Sequence, residues 1–204
     1  KLFQACVELC GNQPGIDLLA TAQAHAALGG FYFRRAKYVE AAEQKLRCVK
    51  IREQLLGAAH PDTLLAQQSL ADTLEKQGKV SEAAELLRAG VELCGIEPSM
   101  DPLATARAHA ALGAFYYRQS QYDEAEEHEQ RCLEIRKKLQ GDTHPDTLDA
   151  RAALADTGKA LGHHIVRAAR QAALANSTSP PKFQTKYLVA IAFFIWLLMR
   201  WLFT

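Results

Sequence analysis

Leu28, Gly29 and Tyr32 fall at spacings that place them on one face of a helix, and Leu70, Ala71 and Leu74 repeat that pattern 42 residues later. A small residue beside large ones lets a second helix approach closely. Two amphipathic helices are therefore predicted in each stretch of about 42 residues. Pro61-Asp62 and Pro145-Asp146 mark helix starts, with proline in the first turn and an acid at the positive end of the helix dipole. Gly78 and Gly162 are predicted to punctuate turns. From Tyr187 to Thr204 the pattern changes: Phe193, Phe194, Ile195, Trp196, Leu197 and Leu198 run in sequence, and such a helix is apolar on every side.

The pattern is duplicated. "DLLATAQAHAALGGFYFRRAKY" from Asp17 returns as "DPLATARAHAALGAFYYRQSQY" from Asp101, and the alignment from Asp17 to Gly78 at an offset of 84 holds 35 identities in 62 positions. Each 84-residue unit divides again at a period near 42. The last unit is degenerate, with Gly158 where Leu74 stands and Arg167 where Ala83 stands, as suits a terminal capping repeat. Residues 1–11 read as the second helix of a repeat whose first helix lies upstream, so further repeats before Lys1 are expected.

These residues resemble the tetratricopeptide repeat, in the 42-residue version seen in kinesin light chains. The resemblance covers about residues 1–176. It rests on Leu28-Gly29 with Tyr32 and Ala41, Leu70-Ala71 with Ala83, Leu112-Gly113 with Tyr116 and Ala125, and the two "HPDTL" helix starts. Lys45 and Glu129 depart from it, standing where that family often has an aromatic late in the second helix. The expected fold is all-α: a solenoid of about four helical hairpins over 12–176, a proline-containing linker over 177–186, and one transmembrane helix over 187–204.

In that family the first helices of successive repeats line a groove that accepts a segment of another protein. With Leu28, Leu70, Leu112 and Leu154 as register marks, the resemblance implies that the groove shows Gln23, Phe33, Arg34, Gln68, Asp72, Glu75, Lys76, Arg107, Tyr117, Arg118, Asp149 and Asp156. Phe33 with Arg34, and Tyr117 with Arg118, are the pairs whose composition best suits a binding hot spot.

Composition sharpens the reading of the tail. The chain carries 24 basic and 23 acidic residues, but from Asn176 onward it has three bases and no acid. The body is near neutral, which argues against a nucleic-acid partner. The tail is basic and apolar, which argues for a bilayer. As a helix, Tyr187–Thr204 would be about 27 Å long, close to the ~30 Å hydrocarbon core of a membrane. Pro180-Pro181 separates it from the body. Arg200 can snorkel to the interface, while Tyr187, Trp196 and Trp201 suit the headgroup level. Lys182 and Lys186 favour a solenoid on the cytosolic, stromal or matrix side of an organelle membrane, mitochondrial or plastid.

Catalytic chemistry is not predicted. His60 and His144 precede prolines at equivalent helix starts, so the turn explains their recurrence. "EEHEQRC" lacks the second histidine of a zinc protease motif, and no phosphate loop or nucleophile elbow occurs. The five cysteines form no CxxC pair and read as small buried hydrophobes. No enzyme, cofactor or metal is expected. The chain reads as a protein-interaction scaffold anchored by one span, an accessory subunit whose partners are integral membrane subunits and the bilayer. The alternative is a tail-anchored receptor or adaptor that holds client proteins transiently, in organelle import or cargo attachment.

Overall fold

A computed structural model describes residues 18–96 and 101–178, the last seven of them as backbone alone. Residues 1–11, most of the linker and the 187–204 span, with Tyr187, Trp196, Arg200 and Trp201, lie outside the described residues. Among the described residues, no helix is long and apolar enough to cross a membrane.

Among the described residues seven helices follow one another: α1 Leu18–Arg34, α2 Tyr38–Leu56, α3 Pro61–Lys76, α4 Val80–Ile96, α5 Pro102–Arg118, α6 Tyr122–Gln140 and α7 Pro145–Thr178. The chain divides into two compact units, 1–158 and 159–204. Within the first, each helix from α1 to α5 packs on the next, and α3 also touches α5. The result is a row of three hairpins, α1–α2, α3–α4 and α5–α6, with the first half of α7 beginning a fourth. The core runs along the row as three clusters. Ala22, Cys48, Val49, Ala66 and Leu70 join the first two hairpins. Ala71, Ala83, Leu87, Leu112, Phe115, Tyr116 and Ala125 join the second and third. Ala106, Cys132, Leu133 and Ala150 carry it to α7. Cys48, Cys94 and Cys132 are free and buried, and burial pushes each thiol above its usual range.

Each turn inside a hairpin uses one device. A residue with positive φ, Ala36 (57°), Gly78 (82°) or Ser120 (61°), reverses the chain at 42-residue spacing. Two crossed main-chain hydrogen bonds close each turn: Lys37 N donates to Tyr32 O and Ala36 N to Phe33 O, and both recur at the other two turns. These bonds satisfy carbonyls that the helix end would otherwise leave unpaired. Two of the turns between hairpins end in histidine caps. Asp62 N donates to His60 Nδ1, and Asp146 N to His144 Nδ1, both at 3.2 Å.

Among the described residues no fourth hairpin forms. A single helix of 34 residues runs through Gly158 and Gly162, and Gly162 stays helical although it aligns with the Gly78 turn. Ala83, wholly buried in its repeat, is replaced by an exposed Arg167, so a folded-back second helix would have to bury a guanidinium. Without that docking surface nothing compensates a broken helix, and the alanine-rich segment simply continues.

Candidate interaction groove

Three clefts open between successive first helices. Ala26, Leu65, Ala66 and Ser69 line the α1–α3 cleft. Leu65, Gln68, Arg107, Ala108 and Ala111 line the α3–α5 cleft, over Leu86, Leu87 and Gly90 of α4. Ala110, Ala114, Tyr117, Arg118, Asp149, Ala153 and Asp156 line the α5–α7 cleft.

The twelve residues expected in the groove divide by what they do. Gln68, Arg107, Tyr117, Arg118, Asp149 and Asp156 line these clefts. Gln23, Arg34 and Lys76 are exposed on α1 and α3. Phe33 is half-buried, its ring against Tyr38 and under the Lys45 ammonium, 4.5 Å from the ring centroid. Arg118, Asp72 and Glu75 are committed to one another. The Arg118 guanidinium donates to Asp72 at 3.1 Å and to Glu75 at 2.7 Å, and Gln119 Nε2 adds a bond to Glu75 at 2.9 Å. This clasp ties α5 to α3. Within it, burial pushes the Asp72 carboxyl above its usual range, with Arg118 pulling it back.

The cleft floors come from the second helices, and the sequence reading missed their part. Lys45 of α2 and Glu129 of α6 are equivalent, and both are more than nine-tenths buried. Their methylene stems cross Gly29 and Gly113, where an added Cβ would lie 2.8 Å from the Cγ of each. That close approach is why an unbranched chain stands where an aromatic is common. Lys45 is fully engaged: its ammonium donates to Ser69 O at 2.9 Å and to Thr73 Oγ1 at 2.7 Å. Desolvation lowers its pKa, and nearby Asp72 opposes that. Glu129 is not engaged in the same way. Burial pushes its carboxyl above the usual range, with the Thr157 hydroxyl beside it pulling the other way. No well-formed bond closes between them, for Glu129 Oε2 and Thr157 Oγ1 are both buried and unpaired.

Beside the clefts, His25 and His109 each meet a polar partner on the second helix. His25 Nδ1 lies 2.9 Å from Gln44 Oε1, and His109 Nδ1 lies 3.1 Å from His128 Nδ1. Two imidazoles in that contact must share one proton between their facing nitrogens. Tyr116 stacks on His128 with its ring planes 9° apart. Desolvation, with His128 nearby, lowers the His109 pKa to about 4. Among the described residues, no group of three metal-ligating side chains converges.

The sequence profile of the tetratricopeptide repeat matches residues 20–94 and 104–165. No curated protein matches the chain. Among solved structures, BtubC (BKLC) from P. vanneervenii superposes with a TM-score of 0.64 at 21% identity, over 88% of this chain and 74% of that one. A kinesin-light-chain-type protein of P. anserina with nearly identical TPR-like repeats gives 0.58 at 24% identity, over 80% and 79%. The apo form of RapI gives 0.62 at 17% identity, over 80% of this chain and 57% of its own. At these identities the likeness is one of fold.

Proposed function

We propose, from the premise that this chain belongs to the tetratricopeptide repeat family, that it is an interaction scaffold held at a membrane as an accessory subunit of a larger membrane protein complex. Proteins of this family bind other proteins and are typically non-enzymatic. The observation that carries the scaffold reading is the run of three clefts between first helices, with exposed Arg107 at the second and exposed Arg118, Asp149 and Asp156 at the third. The membrane part of the proposal is supported by sequence alone. Residues 187–204 are apolar, acid-free and flanked by Lys182 and Lys186 behind two prolines. A short linker of that kind would keep the hairpins near the bilayer surface, where a fixed subunit contact is favoured over a long-range search. An organelle membrane, with the hairpins on the cytosolic, stromal or matrix side, fits the basic flank.

Solubilising the native membrane in mild detergent, separating by size and identifying what co-migrates tests this proposal. A constant ratio of integral membrane subunits is expected. A small species with varied soluble partners overturns it and favours the second reading, a receptor or adaptor for transient clients. The open α5–α7 cleft is what keeps that reading in view. Arg107→Glu with Tyr117→Asp probes the clefts: a receptor should lose its clients, whereas a subunit held through its tail should stay assembled. Arg118 is a poor probe, because its reversal would break the α3–α5 clasp.

A further inference from the structure

The duplication provides an internal reference for the α5–α7 cleft. In the first half, three partners surround the Lys45 ammonium: the main-chain oxygen of Ser69, the hydroxyl of Thr73 and the ring of Phe33. Each has an equivalent 84 residues on: Ala153, Thr157 and Tyr117. Tyr117 even repeats the edge-on contact of Phe33, lying against Tyr122 as Phe33 lies against Tyr38. The difference is the cation. Glu129 replaces Lys45, and a shorter anionic side chain cannot donate to the partners that remain.

The consequence is visible in the hydrogen bonding. Thr73 Oγ1 accepts a hydrogen bond from the Lys45 ammonium, whereas Thr157 Oγ1 is wholly buried and unpaired, as is Glu129 Oε2. A buried carboxylate oxygen without a well-formed hydrogen bond is costly, and a donor reaching it would recover that cost. Other charges in the cleft do not neutralise it. Arg118 is held by Asp72 and Glu75, and Arg136 donates to Asp146 O. Asp149 and Asp156 add negative charge along the cleft. Leu65 stands at the position equivalent to Asp149, so the second half has gained acid twice.

We propose that the α5–α7 cleft binds the ammonium group of a lysine side chain from an extended partner segment, at the place where the first half holds its own Lys45. The inference deepens the groove reading and rests on it. The partner segment is thereby polarised. Its lysine docks at the α5–α7 end, while the α1–α3 cleft, already filled by Lys45, offers no second ammonium site. A lysine suits the place better than an arginine, since the reference occupant is a compact point donor and not a planar fork.

The test uses the full chain in neutral detergent, titrated with the blocked pentapeptide Ac-Gly-Ser-Lys-Ser-Gly-amide and followed by amide NMR. Saturable shifts are expected at Glu129 and Thr157. Replacing the peptide's lysine with norleucine should weaken binding by about tenfold or more, the scale of a charge-assisted hydrogen bond. Glu129→Lys rebuilds the first-half arrangement, so it should fold and abolish those shifts. Glu129→Gln, nearly isosteric, should weaken them about tenfold. Equal binding of the lysine and norleucine peptides, no saturation at millimolar peptide, or unchanged binding in both variants overturns the inference. The titration needs no cellular partner, so the two readings fail separately. If the lysine peptide does not bind while Arg107→Glu with Tyr117→Asp still releases partners, the ammonium site alone falls. If the peptide binds and those substitutions release nothing, the receptor reading falls and the ammonium site stands.

Discussion

Gly29 and Gly113 each face a methylene stem at a distance that leaves no room for a Cβ, with Ala41 O and Ala125 O closing the other side at 3.2 and 3.3 Å. Alanine at Gly113 must push α5 and α6 apart, and a loss of about 1–3 kcal/mol is expected in urea unfolding. Gly158 has open space around it and lies inside α7, so Gly158→Ala should gain about 0.5–1 kcal/mol. The His109–His128 pair predicts a pH dependence. Both pKa values are lowered in the folded state, His109 to about 4 from 6.5. The unfolded chain therefore binds more protons between about pH 6.5 and 4, and stability falls as pH drops through that window. His128→Gln copies the His25–Gln44 pair and removes one titrating ring. Urea midpoints at pH 7.5 and pH 5 should differ less for this variant than for the natural chain.

Among the elements, the hairpin turns show where local preference yields to packing. Ala36 and Ser120 hold positive φ without being glycine, a conformation that costs a side-chain-bearing residue about 1 kcal/mol. Ser120→Gly should recover about that amount in thermal or urea unfolding, with the turn unchanged. The Arg118 clasp belongs to this scale as well. Its guanidinium and Asp72 are each about two-fifths exposed, while Glu75 is only 12% exposed. Arg118→Ala should therefore cost no more than about 1 kcal/mol, whereas Arg118→Glu sets three carboxylates together and should cost more. Gly78 marked one of the three turns in the sequence, but the Ala36 and Ser120 turns and the clasp could not be placed from periodicity, which fixes the face of a helix and not its neighbours.

For the molecule as a whole, the repeats and the tail make separate demands. If the tail is an anchor, the full chain should sediment with membranes, and a chain ending at Lys186 should leave that fraction while keeping its helical circular dichroism and its urea midpoint. Unfolding of the truncated chain would instead mean that the tail is part of the core. The duplication made the repeat class, the register of its helices and six of the residues at the clefts legible, because small and large residues recur at a helical period and the second copy repeats the first. The side chains at the base of the clefts were legible only as a departure from the repeat pattern, since Lys45 and Glu129 look like surface charges in any single helix. Their burial follows from Gly29 and Gly113 drawing the second helix close. Gly162 makes the same point from the other side. The sequence placed a turn residue there by alignment with Gly78, but a turn forms only where the next helix has a surface to dock on. Arg167 removes that surface, and the helix runs on. What the sequence determined by itself was the repeating face of each helix, a local property of spacing. Which polar groups are buried, which are paired and where the hairpins stop depended on contacts between helices, and only the tertiary structure decided those.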